Sequence, residues 1–192
     1  MKTGRHLSSA TSIVAVIIAT IGLSYSLPVH SCGLEPSVNG GFSISHPGSL
    51  EVAIAVADAR NNGLLPNASP NAISDKIRLQ QMLADLRLLQ ARLDKGRGEL
   101  SGDIDTPFSL VLIGPGLWSH FHITPDSVTA HLHAKGPLHE KVVVLTHPIA
   151  LRAMLDGKLS IQHATRLGLI AYSGIDTTAV RRALESSLQI KT

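Results

Sequence analysis

Histidine is the residue type in this sequence with the clearest capacity for chemistry. Of its ten histidines, four stand on two predicted β-strands: His120, His122, His131 and His133. The turn Thr124–Ser127 separates the strands, so that Ile123 pairs with Val128. In that register His120 lies opposite His131, and strict alternation puts all four histidines on the face away from the core. Directly paired Cβ atoms are about 5 Å apart, and neutral imidazoles at this spacing can bind zinc or copper.

The same hairpin register makes further predictions. Trp118 should face His133, and a slip of one residue would turn all four histidines toward the core. A polar outer sheet face that happens to use histidine is the alternative interpretation. Four other histidines are predicted to be loop or helix-surface residues: His46, His139, His147 and His163.

The beginning of the chain predicts export. Residues 1–12 contain Lys2 and Arg5 but no acidic residue, and residues 13–27 carry no charge. A basic start, a short apolar stretch and small residues after it are typical of a secretory signal, and the stretch is shorter than the about 20 apolar residues of a spanning helix. Cleavage after Ser31 would leave a periplasmic or extracellular protein. Retention of residues 13–27 as a membrane anchor is the alternative.

Cys32 would be the first residue of the mature protein. It is the only cysteine, so an internal disulfide is excluded. We expect a free thiol. Acylation that tethers the protein to a membrane, an intermolecular disulfide, and a role as a metal ligand remain as alternatives.

The rest of the first half predicts two helices. The first begins at Ser49 and ends at Gly63, and the second begins at Ser69-Pro70 and ends near residue 95. Apolar residues recur at helical spacing in both. The second helix is long enough to extend beyond the domain, and this makes residues 70–95 a candidate surface for a protein partner.

The second half changes to a period of two, which is typical of strands. Short turns join the first four strands and favour antiparallel pairing. The predicted strands are 108–113, 117–123, 128–134, 141–146 and 169–172, and helices begin at Pro148, Ser160 and Asp176 or Thr177. The pattern predicts an α+β fold, a small antiparallel sheet with helices on one face, preceded by two helices and the export signal. The expected organisation is 1–31 signal, 32–100 helical segment and 101–192 α+β domain.

One stretch of the second half carries a family pattern. It runs Leu155-Asp156-Gly157-Lys158-Leu159-Ser160 and continues with Gln162, Ala164, Gly168 and Gly174. With Trp118 and the strand 141–146, this stretch resembles the sterol-carrier-protein type of lipid-binding domain over residues 106–190. The resemblance implies a lipid, sterol or quinone-like ligand in a cavity between sheet and helices. Thr165 departs from the family pattern, and residues 33–100 have no counterpart in it. The implied ligand-binding residues are Phe108, Leu110, Phe121, Leu132, Leu151 and Leu155.

These observations predict a function without a catalytic signature. The net charge is only +3 and aromatic residues make up 3% of the chain, which argues against nucleic acid as a partner. No arrangement typical of nucleophilic catalysis is present, so the sequence predicts a protein that is not an enzyme. The first hypothesis is an exported binder of an apolar small molecule. The alternatives are a metal-binding or metal-delivery protein and an accessory protein that docks a partner.

Overall fold

The computed structural model describes residues 46–67, 74–99, 105–139 and 141–189. These residues belong to one structural unit. The predicted signal segment 1–31, the membrane-tether candidates 13–27 and Cys32, and the stretch up to residue 45 lie outside the described residues. In the described ranges, no helix has the length and apolar character needed to cross a bilayer.

Five strands form one mixed sheet in the order β3-β2-β1-β4-β5. Strand β1 pairs antiparallel with β2 but parallel with β4. The α+β class is therefore confirmed, whereas the prediction of a purely antiparallel sheet is wrong. The strands are β1 (Thr106–Leu112), β2 (Leu117–Ile123), β3 (Val128–Ala134), β4 (Val142–Thr146) and β5 (Ile170–Ser173).

The parallel pair arises from the connection between β3 and β4. Both strands run in the direction of β1, so the chain must return across the sheet between them. The backbone N–H of Leu138 donates to Ser109 Oγ on β1 at 2.8 Å, which places this connection over the sheet. A crossover between parallel strands usually needs a dozen or more residues. The connection after Ala134 is shorter than this, and for that reason the sequence predicts a turn between antiparallel strands there.

The helices begin close to the predicted positions, with two differences. Gly48, not Ser49, precedes the first helix, and Ser49 Oγ accepts from the backbone N–H of His46 at 3.1 Å. The second helix begins at Asp75, where Ser74 Oγ accepts from Ile77 N. The predicted start at Ser69-Pro70 lies outside the described residues. The helices are α1 (Ser49–Asn61), α2 (Asp75–Gly96), α3 (Pro148–Leu155), α4 (Ile161–Arg166) and α5 (Thr178–Ser187).

Helix α2 covers one face of the sheet. On β3, the residues that share the face of Phe108 are partly or fully buried, while Thr129, His131 and His133 are exposed. Helices α3 and α5 pack against α2, and the buried Leu86, Leu89 and Leu93 anchor α2 in the core. We call the sheet face that α2 covers the helix-side face, and we call the opposite one the histidine face. Buried residues from both predicted segments, between Val52 and Leu93 and between Phe108 and Leu188, belong to one core.

The glycines of the family-like stretch have a structural reason. Gly157, Gly168 and Gly174 all adopt positive φ angles of 70°, 72° and 125°, a region that glycine occupies without steric cost. At Gly174 a Cβ atom would also lie only 3.1 Å from Val142 Cα. These positions therefore shape the turns around α4 and β5.

Candidate functional site

The histidine face carries the pair that the sequence predicts. His120 is paired with His131 across β2 and β3, and their ring centroids are 6.1 Å apart. The ring of His120 is engaged elsewhere, because its Nε2 lies 2.6 Å from the carbonyl oxygen of Gly136 in the crossover connection. The two imidazoles are thus neighbours on the predicted face, with His131 exposed to solvent.

His122 has an acidic partner that the sequence analysis did not assign to it. Its Nε2 contacts Oδ1 of Asp105, the residue just before β1. The Asp105 side chain is 81% exposed, so the pair lies in water and contributes little to stability. Beside it is an open pocket of about 290 Å³. The pocket is lined by Pro107, His120, Phe121, His122, Thr129, His131 and Leu138.

The fourth histidine departs from the predicted register. Ser119 pairs with Leu132, but Trp118 pairs with Ala134, so a β-bulge leaves His133 without the predicted partner Trp118. His133 has φ 64°, a left-handed conformation that only a few per cent of non-glycine residues adopt. The predicted pairing of Trp118 with His133 is therefore wrong. Nothing in the alternation of β3 signalled this bulge.

The histidines do not form a ready metal-binding cluster. In the part of the chain that the structure describes, no group of three histidine, cysteine, aspartate or glutamate side chains is placed to hold a metal ion. Gly136 and Asp105 engage His120 and His122 instead. Zinc or copper binding through His120, His122, His131 and His133 stays a prediction.

The helix-side face holds the residues predicted to bind an apolar ligand. Phe108 and Phe121 are paired across β1 and β2 and stack with ring centroids 5.2 Å apart. Five of the six predicted residues are buried in the core: Phe108, Leu110, Phe121, Leu151 and Leu155. The sixth, Leu132, is only partly buried, on the edge strand β3. The predicted set therefore marks the interior between sheet and helices.

An apolar seam runs between α2 and β3 at the edge of this interior. Its side chains are only partly buried, yet they pack against the core. The seam consists of Leu79, Leu83, Ala130 and Leu132. At one end of it, Gln90 Nε2 donates to the Val128 carbonyl oxygen at 2.8 Å and Asp94 Oδ1 accepts from Val128 N at 3.1 Å. Alanine at one of the two β3 positions leaves the seam thinly covered.

A buried acidic residue of α2 faces α3. Asp85 is 6% exposed, and Arg152 Nη2 lies 2.5 Å from its Oδ1. Burial raises the pKa of the Asp85 carboxyl, and the positive charge of Arg152 opposes this shift. The contact has ion-pair distance but lacks hydrogen-bond geometry at that oxygen. The pair joins α2 to α3 beside the apolar interior.

His147 has a role that the sequence analysis missed. Its Nδ1 accepts a hydrogen bond from Ile149 N at 3.2 Å and so caps α3. Burial, and next the positive charge of Arg60, lower the pKa of His147 to about 4. The prediction of a loop or helix-surface residue is therefore incomplete. Pro148 at the first helical position was the available signal, since the residue before it is the cap.

The fold is similar to that of solved structures whose sequences are less than 20% identical to this chain. No protein-family model matches the chain, and no characterised protein matches its sequence. A sterol carrier protein 2-like 2 from Aedes aegypti is 19% identical over 56% of this chain and 96% of its own, with a TM-score of 0.38. A Thermus thermophilus protein for which a sterol carrier role is suggested is 10% identical, covers 64% of this chain and 88% of its own, and has a TM-score of 0.37. Both are of the type that the second half of the sequence resembles.

An enzyme is also among the similar structures. The inverting sec-alkylsulfatase Pisa1 of a Pseudomonas species is 14% identical over 50% of this chain, with a TM-score of 0.36. This chain spans only 13% of that enzyme's length. The prediction that the chain is not an enzyme is contradicted here, because the similar structures include part of one. At such TM-scores, none of these likenesses carries a conclusion about substrate or ligand.

Proposed function

We propose that this protein binds an apolar small molecule, of the lipid, sterol or quinone-like class, between its sheet and helix α2. The observation that carries this proposal is the apolar seam. Its side chains form a partly exposed strip that is continuous with the buried core. An apolar ligand that enters there removes further apolar surface from water, which is the main favourable contribution to such binding.

The anchoring of α2 supports an opening at the seam. Its bonds to β3 from Gln90 and Asp94 lie at Val128, and the Asp85–Arg152 contact joins it to α3. Residues 75–78, the first turn of α2, are exposed. Regions with few buried contacts open at low free-energy cost. The first half of α2 is therefore the part that can move away from β3.

A charge at the seam should weaken binding selectively. We expect Leu132→Lys to lower the affinity for an apolar fluorescent probe by about tenfold, because the ammonium group would have to lose water beside the ligand. Thr129→Lys is the matched control, since Thr129 is exposed on the opposite face of the same strand. Fluorescence titration with a pyrene-labelled alkyl chain measures both. Equal affinities in the two variants would contradict entry at the seam.

We further propose that the protein acts outside the cytoplasm after cleavage at Ser31. The basic residues Lys2 and Arg5 and the uncharged residues 13–27 support this. We expect N-terminal sequencing and intact mass of the exported protein to begin at Cys32. An intact Met1 would instead mean a retained anchor, and an added acyl mass on Cys32 would mean a lipid tether. A protein partner on α2 stays a prediction of the sequence.

A further inference from the structure

Among the described residues of the helix-side interior, one buried hydroxyl group has no hydrogen-bond partner. Ser119 on β2 is fully buried between Leu110 on β1 and Leu132 on β3, its paired residues in the sheet. Its Oγ makes no hydrogen bond with any residue that the structure describes. Ser119 shares the helix-side face with Phe121, two residues further along the strand. The lone hydroxyl therefore lies in an apolar surface, next to the seam residue Leu132.

Other buried hydroxyl groups of the described core are satisfied. Ser49 Oγ accepts from His46 N at 3.1 Å, Ser109 Oγ accepts from Leu138 N at 2.8 Å, and Thr146 Oγ1 donates to the Leu169 carbonyl oxygen at 2.9 Å. Buried polar groups in folded proteins are nearly always paired in this way, and an unpaired one destabilises the fold. Alanine would fill the site of Ser119 without that cost. A hydrogen-bond partner from outside the chain would remove that cost at Ser119.

The charges around this face restrict the partner. Within the described residues, the buried polar or charged side chains are Ser49, Asp85, Ser109, Ser119 and Thr146, and no lysine or arginine is among them. The one buried charged group, Asp85, is acidic and lies on the helix that covers this face. The nearby cation of Arg152 is shared between Asp85 and Asp156. A carboxylate or phosphate would thus enter without a buried counter-charge, which is strongly unfavourable.

We propose that the ligand is an uncharged amphiphile whose single hydroxyl or carbonyl oxygen hydrogen-bonds to Ser119 Oγ, while its apolar body lies under α2. This inference rests on the proposed function and adds the head-group class to it. A serine hydroxyl can donate and accept, so alcohols and ketones both suit it. Ser119 thereby becomes the residue that selects the head group, and the apolar interior selects the body.

Three probes with one apolar body test this selection: dodecylpyrene, pyrenedodecanol and pyrenedodecanoic acid. Fluorescence titration of the full chain at neutral pH should rank the alcohol first. In Ser119→Ala, the affinity for the alcohol should fall about fivefold, the effect of one net hydrogen bond, and the affinity for the hydrocarbon should not change. Thr146→Val is the control, because the Thr146 hydroxyl already has a protein partner. It should leave the ranking as it is in the wild type.

Each other outcome has a defined meaning. Equal losses for all three probes in Ser119→Ala would overturn the head-group assignment and give Ser119 a structural role, as would an unchanged affinity for the alcohol. Tightest binding of the acid would overturn the uncharged class. If the wild type binds none of the probes, the proposed function itself fails.

The melting temperature of Ser119→Ala should equal or exceed that of the wild type. Should that variant not fold, Ser119→Cys, which keeps the size with a weaker donor, is titrated in its place with the same expectations.

Discussion

Acidification from pH 6.5 to about 4 should lower the free energy of unfolding by about 3 kcal/mol through His147 alone. The pKa of His147 falls from 6.5 to about 4 in the folded protein because burial and the charge of Arg60 disfavour the imidazolium. A histidine with a lowered pKa contributes its full stability above the unfolded-state value. That contribution is lost as the pH falls toward the folded-state value. Protonation would also remove the Nδ1 acceptor that caps α3 at Ile149.

Urea denaturation across this pH range measures the effect, and substitution isolates it. His147→Asn keeps a side chain that caps helices well but does not titrate, so its stability should vary less with pH than that of the wild type. His131→Asn, at an exposed position, controls for the exchange itself. Asp85 acts in the opposite direction, because a raised carboxyl pKa means that stability is lost as the pH rises. The same pH profile in wild type and His147→Asn would contradict the role of His147.

The hairpin shows what the sequence could and could not predict. The four-residue turn and the alternation of β2 and β3 correctly gave the pairing of His120 with His131. The bulge at His133 was not predictable, since it needs a left-handed residue where no glycine signals one. The parallel pairing of β1 with β4 was hidden for another reason. The sequence of the connection, which contacts the sheet through Leu138 and Gly136, looks like that of an ordinary turn.

The proposed ligand-binding region was predictable only in part. Alternation and the family-like turns identified Phe108, Phe121 and Leu155 as interior residues, and they are buried. Burial alone does not separate a packed core from a ligand site, because both need apolar side chains. The distinguishing features come from packing: the partial exposure of Leu132 and the unpaired hydroxyl of Ser119. Neither is encoded in local sequence.

Cavity-forming substitutions on the two sheet faces should separate packing from binding. Leu110 and Leu145 are both 1% exposed on neighbouring strands β1 and β4. Leu110 belongs to the helix-side face beside Ser119, and Leu145 belongs to the opposite face. Changing either to alanine should lower the free energy of unfolding by about 3 kcal/mol, since each removes a buried side chain and leaves a cavity. Thermal and urea unfolding measure this loss.

The two variants should differ in affinity for an apolar ligand. In Leu110→Ala, part of the space that the ligand must open already exists, so the affinity for dodecylpyrene should rise roughly tenfold despite the lower stability. Leu145→Ala opens space on the wrong face and should bind like the wild type. A gain in both variants would mean that the probe binds any loosened core. A gain in neither would place the ligand outside the interior under α2. Only the asymmetric result agrees with an apolar ligand held between this sheet face and the helix.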